Sequence, residues 1–467
     1  MPSIYIETFG CQMNEADSQF IANRATSAGY GIASVPQQAS VVLLNTCTVR
    51  EGAERRAYGR MQHFKILKEA DPSMKLVVTG CLAEQDRERM QQIAPHVDAV
   101  FGTSELVRLA DALTAWRPGF TEDEGSEERS LLVPIGGQAD CVTDAFSHLR
   151  AYVTVQRGCS YYCTFCIVPH VRGRFDHRPM SAILSEVSDR VAEGAREITL
   201  VGQTVNAYRD PATGADFGQL LTAVAQSPGL ERLGFLTSHP KDFTEKLVLE
   251  MGRIPQLNPR LHLPVQSASN PVLRRMNRKY TIDSYLDKIA TFREHLPGWA
   301  LTTDIIVGFP GETEEDFGKT LALCASEMFA QAYMFIYSPR RGTPASHWDQ
   351  VDSSVSSERL RRLALVQNGA CRAYHQKKVS SVVRALVQGG SRKDSTKIAA
   401  KSIDNVTVVA PLPTDTDLLT FAASPWIDVR VEAAYTWGIA GTIVSRAKTY
   451  ADAGISVRAP TLNLLTL

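Results

Sequence analysis

Six of the nine cysteines in this 467-residue chain fall into two sets of three, spaced in opposite ways. Cys159, Cys163 and Cys166 are packed into C-x3-C-x2-C within Arg157-Gly158-Cys159-Ser160-Tyr161-Tyr162-Cys163-Thr164-Phe165-Cys166. Cysteine thiolates are the usual ligands of iron–sulfur clusters. Three of them on a four-iron cluster leave one iron open, as a catalytic metal keeps one position open for a substrate or cofactor. Zinc is the competing reading. It needs a fourth ligand, for which His170 is at hand, but Pro169 beside it and the lack of a second cysteine pair weaken that set. Phe165 ahead of the last cysteine, and a strand ahead of the first, favour the cluster.

The second set is Cys11, Cys47 and Cys81, lying 36 and 34 residues apart. Each follows an apolar run: Thr8-Phe9-Gly10-Cys11, Asn45-Thr46-Cys47 and Thr79-Gly80-Cys81. In open α/β sheets the binding crevice lies outside the carboxyl ends of the strands. Three cysteines at three such ends can therefore share one metal site. The plain alternative is three small buried thiols; such thiols fall within strands, whereas these follow strands in the same register. Cys141, Cys324 and Cys371 match no motif and read as ordinary thiols.

The elements that must position these residues come in three series. Strand signals at 3–9, 40–45, 74–79 and 98–102 alternate with helical signals at 15–28, 50–70 and 84–93, which predicts an N-terminal open parallel α/β sheet. An acidic stretch at 121–129 reads as a linker. Six further strands are expected at 151–156, 197–201, 232–237, 261–265, 303–307 and 332–337, with helices such as 181–194 and 282–295 between them. Six βα units predict a partial (β/α)6 barrel, and barrel enzymes keep their chemistry at the C-terminal mouth, where the C-x3-C-x2-C motif falls. From 359 to 401 there are eleven Lys and Arg against one acid, Asp394, a stretch suited to phosphate contacts or to a solvated helix and linker. Short β segments at 381–387, 405–411, 426–432 and 440–444 predict a small antiparallel β domain. The expected division is 1–118, a linker at 119–145, 146–375, 376–446 and a tail at 447–467.

Composition sets the frame. Lys+Arg and Asp+Glu number 50 each, which excludes a wholly basic nucleic-acid binder but not a local basic patch. No apolar run approaches the roughly 20 residues of a membrane span, and residues 1–10 show no signal peptide. The expectation is a cytoplasmic protein. In that reducing setting clustered cysteines bind metal or do chemistry rather than form disulfides.

C-x3-C-x-aromatic-C after a barrel strand resembles the signature of radical S-adenosylmethionine enzymes. The three-cysteine N-terminal region narrows the resemblance to the methylthiotransferases, which carry a second cluster there. Gly10-Cys11-Gln12-Met13-Asn14, Asn45-Thr46-Cys47-Thr48-Val49-Arg50 and Arg157-Gly158-Cys159 resemble the branch acting on isopentenylated (dimethylallyl) adenosine beside the tRNA anticodon. Gly202-Gln203, Thr237-Ser238-His239-Pro240, His262-Leu263-Pro264-Val265-Gln266-Ser267 and Gly308-Phe309-Pro310-Gly311-Glu312-Thr313 are further matches. The resemblance is dense from residue 3 to about 346. Ala268, Thr204 and the run around His177 depart from the family pattern and touch loops near the site.

The resemblance implies two 4Fe-4S clusters and S-adenosylmethionine as cofactors. Cys159, Cys163 and Cys166 would hold the radical-generating cluster, and Cys11, Cys47 and Cys81 the auxiliary one. Gln203, His262 and Gln266 would contact S-adenosylmethionine; their plain readings are an exposed loop amide and satisfied core groups. Glycines in 308–311 would permit close approach to a ligand or simply form a tight turn. Arg172, Arg174, Arg178, Arg274, Arg275, Arg278 and Lys279 would place positive charge around the mouth. Partners would be the tRNA anticodon stem-loop and an electron donor such as flavodoxin or ferredoxin, with no membrane, and the chain a monomer. A TRAM-like RNA-binding β domain is expected at the C-terminus. The threonylcarbamoyladenosine branch, the ribosomal-protein aspartate branch and a non-catalytic iron–sulfur RNA-binding regulator are the alternatives.

Overall fold

A computed structural model describes residues 1–49, 51–116, 146–414 and 416–451. The expected acidic linker, Cys141 and most of the tail lie outside the described residues. The chain forms two compact units. The first comprises Met1–Tyr162, Cys166–Asp176 and Val201–Gln203; the second comprises Cys163–Phe165, His177–Leu200 and Thr204–Leu467.

The first unit is built on a parallel five-stranded sheet of β1 (Ser3–Thr8), β2 (Gly31–Ile32), β3 (Val41–Thr46), β4 (Lys75–Gly80) and β5 (Ala99–Phe101), in the order β2-β1-β3-β4-β5. Every residue of β3 is buried, as a strand covered on both faces requires. Side chains alternate between the two faces. Val42, Leu44, Leu76 and Val78 pack with Phe64 of α2 (Glu51–Ala70). Leu43 and Val77 pack with Ile21 of α1 (Gln12–Ser27) and with Leu109 and Leu113. The expected helix at 84–93 divides at Asp86 into α3 (Cys81–Gln85) and α4 (Arg87–Ile93). The sequence reading missed β2, which is two residues long, and α5 (Leu106–Ala115). This unit also contains β6 (Arg150–Thr154), β7 (Gln156–Arg157) and α6 (Val168–Val171).

After β8 (Asp176–His177), the second unit follows the expected βα alternation: α7 (Met180–Ala192), β9 (Glu197–Val201), α8 (Phe217–Ala225), β10 (Arg232–Phe235), α9 (Glu245–Gly252), β11 (Arg260–His262), α10 (Asn270–Arg275), α11 (Ile282–His295), β12 (Ala300–Val307), α12 (Glu314–Ala325) and β13 (Gln331–Ile336). All six expected strands of the central region are present. β9 pairs in parallel with β10, and β11, β12 and β13 form a parallel sheet. Register sets His262, Thr302 and Gln331 abreast, and Asp304 beside Tyr333 two residues further along. A strand's side chains repeat every second residue, so these groups share one face.

The helix α13 (Ser353–Gln376) leads into β14 (Val382–Ser391), β15 (Asp394–Ser402), β16 (Thr407–Pro411), α14 (Thr420–Ala423), β17 (Trp426–Tyr435) and β18 (Gly438–Ala447). The five strands close into a barrel in the order β14-β15-β16-β18-β17. The expected antiparallel pattern needs one correction, because β16 and β18 run parallel at Val408↔Ile439 and Val409↔Ala440. β15 went unread because only Ile398, Ala400 and Ser402 of its nine residues are buried. The barrel is tied to β10 by Arg232, which is 2% exposed. Its guanidinium donates to Asn258 Oδ1 at 2.8 Å and to the Ser402 carbonyl at 3.2 Å, and lies 5.6 Å from the Trp426 ring.

Candidate metal centres

The three strand-end thiols of the first unit are brought together by register. Thr8 pairs with Asn45, Asn45 with Thr79, and Thr46 with Gly80. Cys47 and Cys81 each follow the last paired residue of adjacent strands, so they leave the sheet level. Cys11 arrives through Gly10, whose φ is +121°; a Cβ there would meet Cys47 Cβ at 2.6 Å. Gly80, at φ +99°, turns the chain into α3, and a Cβ there would meet Asn45 Oδ1 at 2.6 Å. Both positions therefore need glycine's left-handed freedom. Asn14 and Asn45 lock the crossing: Asn14 Nδ2 donates to Asn45 Oδ1 and to the Thr46 carbonyl, both at 2.9 Å, and Asn45 Nδ2 donates to the Asn14 carbonyl at 2.8 Å.

Cys47 and Cys81 are buried, and Cys11 is half-buried at the N-cap of α1. Burial pushes the Cys81 thiol up to about 12; Arg172 pulls it down, while Cys47 and Cys11 push it up again. Arg172 Nε donates to Cys81 Sγ at 3.2 Å, and its Nη2 pairs with Asp17 Oδ2 at 2.9 Å. Asp17, 1% exposed, also takes Arg157 Nη1 at 2.8 Å. Cys81 packs against Ile167 and Val171, from the segment directly after Cys166.

The C-x3-C-x2-C stretch is held at both ends. In the first unit, Cys159 N–H donates to the Gly173 carbonyl at 3.0 Å, and Tyr161 meets Phe175 edge-on at 5.4 Å. In the second, Thr164 N–H donates to the Met276 carbonyl at 3.1 Å, and Thr164 Oγ1 donates to the Arg275 carbonyl at 2.8 Å. Phe165 packs with Val272, Met276 and Phe309. Arg278 Nη1 donates to Cys163 Sγ at 3.3 Å and its Nε to Tyr280 Oη at 3.0 Å.

Of the other expected site residues, Gln203 lies in the first unit, half-buried after β9, and His262 and Gln266 lie in the second. His262 Nδ1 is 3.1 Å from Thr302 Oγ1, and its Nε2 is 3.4 Å from Asp304 Oδ2. Gln266 is 8% exposed and left-handed at φ +67°, and its Oε1 is buried without a hydrogen bond. A strained, buried residue with an orphan acceptor is what a ligand-contacting position shows.

Several expectations are corrected. The Arg172 side chain is buried and Arg278 is half-buried, and each addresses a cysteine sulfur, a role no spacing rule announces. At 308–311 the structure has the tight turn, one of the two readings: Gly308 N–H donates to Glu312 Oε2 at 2.7 Å, and a Cβ at Gly308 would strike Ser356. Six of the eleven basic residues of the stretch are ion-paired: Arg359 with Glu312, Arg361 with Glu358, Arg362 with Glu314, Lys378 with Asp404, Arg384 with Asp428 and Lys397 with Asp394. His170 is exposed, and among the described residues no group of three or more His, Cys, Asp or Glu is set around a single ion. Cysteine thiolates are the usual iron–sulfur ligands, whereas a structural zinc needs a fourth ligand, so the chemistry of each donor set of three thiols fits a cluster.

Residues 3–102 match the Uncharacterized protein family UPF0004, and residues 153–324 match the Radical SAM superfamily. A tRNA-2-methylthio-N(6)-dimethylallyladenosine synthase of Moorella thermoacetica is 39% identical over 448 residues, covering 94% of this chain and 98% of the relative. A protein of the same name from Acidithiobacillus ferrooxidans is 42% identical over 420 residues, 87% and 90% of the two chains. Among solved structures, the radical S-adenosylmethionine methyltransferase TsrM of Kitasatospora setae, with cobalamin and a 4Fe-4S cluster bound, superposes with a TM-score of 0.53. It is 14% identical and covers 74% of this chain and 77% of that one, a likeness of fold.

Proposed function

This chain belongs to the family of radical S-adenosylmethionine enzymes named tRNA-2-methylthio-N(6)-dimethylallyladenosine synthases, and from that membership we propose how its residues serve the reaction. The substrate is tRNA carrying dimethylallyladenosine, and the product carries a methylthio group at carbon 2 of that base. Cys159, Cys163 and Cys166 hold one 4Fe-4S cluster, and Cys11, Cys47 and Cys81 hold the other. Bound there with S-adenosylmethionine, these groups supply a radical that removes hydrogen from carbon 2 and the sulfur that replaces it.

The chain's own residues orient and shield. Phe165 and Thr164 fix the motif loop. The orphan Gln266 acceptor would receive a donor of S-adenosylmethionine. The His262–Asp304 pair and Gln203 serve as further polar contacts. A base in an anticodon loop is single-stranded and can be splayed into a pocket, with the C-terminal barrel taking the RNA backbone. The working division is 1–118, 146–375 and 376–446. A monomer in the cytoplasm, reduced by a flavodoxin or ferredoxin, completes the reading.

The observation that carries the proposal is the convergence of Cys11, Cys47 and Cys81 at three adjacent strand ends, together with the separate C-x3-C-x2-C stretch. After anaerobic reconstitution the wild type should hold about eight irons per chain, and the triple variant Cys159→Ala/Cys163→Ala/Cys166→Ala about four. About four irons in the wild type and none in the triple variant would remove the strand-end site. Nucleoside analysis of tRNA from a strain lacking its own enzyme, complemented with this chain, tests the substrate.

A further inference from the structure

Each cysteine set has one arginine aimed at one of its sulfurs. Arg172 Nε is 3.2 Å from Cys81 Sγ, and Arg278 Nη1 is 3.3 Å from Cys163 Sγ. Neither guanidinium is held in place by the sulfur alone. Arg172, with its side chain 3% exposed, is anchored by Asp17 at 2.9 Å and Asn14 Oδ1 at 3.4 Å. Arg278 is anchored by Tyr280 Oη at 3.0 Å and the Pro264 carbonyl at 3.4 Å, and lies 5.1 Å from the Tyr280 ring centroid. The aim of each N–H therefore belongs to the fold and exists before anything binds the thiols.

We propose that Arg172 and Arg278 are positioning residues that set the reduction potentials of the two clusters independently, one arginine to each cysteine set. This rests on the assignment of clusters to these cysteines. Reduction adds one negative charge to a cluster. A cation, buried as the Arg172 side chain is or half-buried as Arg278 is, that donates a hydrogen bond to a ligating sulfur stabilises the reduced form more than the oxidised form, and so raises the potential. The low local dielectric strengthens the effect. The two arginines are not equivalent. Asp17 offsets part of the Arg172 charge, whereas the partners of Arg278 are a phenol and a carbonyl. Arg278 should therefore act on its cluster more strongly.

The test is a redox titration of each cluster, followed by electron paramagnetic resonance, in the full-length reconstituted protein. Arg278→Met should lower the potential of the central cluster by about tenfold in its reduction equilibrium, about 59 mV for one electron, and leave the strand-end cluster at its wild-type value. Arg172→Met should do the reverse, with a smaller shift. Arg278→Lys and Arg172→Lys keep the charge and should fall between. Iron and sulfide content is read on the same samples. Full content with unchanged potentials overturns the inference and spares the cluster assignment; a wild type without the clusters overturns both. Where a methionine variant loses its cluster, the lysine variant decides, and an unshifted potential there overturns the proposal. A packing role alone would change stability or iron content without moving one potential selectively.

Discussion

Asp428 receives Arg384 through both carboxylate oxygens, at 2.9 and 3.2 Å, and both side chains are less than 5% exposed inside the C-terminal barrel. Ser445 Oγ adds a third bond to Asp428 Oδ2 at 2.6 Å. Removing one partner of such a pair leaves a buried charge uncompensated and costs about 3–5 kcal/mol. Arg384→Met should lower unfolding stability by that amount in urea titration, and Arg384→Met/Asp428→Leu should recover most of it. A single variant within 1 kcal/mol (roughly the value of a surface pair) would show that solvent reaches the pair.

Gly80→Ala should weaken the strand-end site. The left-handed backbone at Gly80 disfavours any Cβ by roughly 1–2 kcal/mol, before the clash with Asn45 Oδ1 at 2.6 Å is counted. Reconstituted protein should lose about four irons per chain while the central cluster's spectrum persists. Full iron content in this variant would mean the turn has slack.

Thr237 follows β10, is exposed and has φ +70°, a conformation costly for a β-branched residue. Thr237→Gly should raise stability by about 1 kcal/mol, read as an increase in the urea midpoint at constant slope. A decrease would show that the threonine side chain makes compensating contacts.

His239 predicts a pH dependence. Burial, then the charges of Arg278 and Lys241, push its pKa down to about 2, against an ordinary value of 6.5. Its Nδ1 accepts the Lys241 N–H at 3.1 Å, which fixes the neutral ring. Between pH 6.5 and 2 the unfolded chain binds the extra proton, so His239 destabilises the fold as pH falls through that window and has no such effect above it. The slope is at most about 1.4 kcal/mol per pH unit. Compared with wild type, His239→Gln should lose less stability between pH 6.5 and 5.5; identical slopes would contradict the burial argument.

What was legible in the sequence followed from periodicity and punctuation. The fully buried run of β3 and the six strands of the central region announce themselves through apolar residues, and Gly-Cys marks the strand ends at Cys11 and Cys81 and opens the central motif at Cys159. Three cysteines more than thirty residues apart could be grouped because a parallel sheet brings its carboxyl ends to one edge. β15 was not legible, since its outward residues are Lys, Ser and Thr and its inward ones few. Nor were the partners of Arg172 and Arg278. A guanidinium that turns inward to a sulfur has the same letter as one in water; the carboxylate of Asp17, far away in sequence, directs Arg172, and the phenol of Tyr280, two residues on, directs Arg278 only once the loop has folded.

The parallel seam between β16 and β18 is only two residue pairs long, yet it turns a strip of five strands into a ring. An open strip would offer the unpaired N–H and C=O rows of β16 and β18 as templates for strands of other chains. Closing the ring removes that template along the seam, the way a barrel shields its strands from edge-to-edge pairing with other chains.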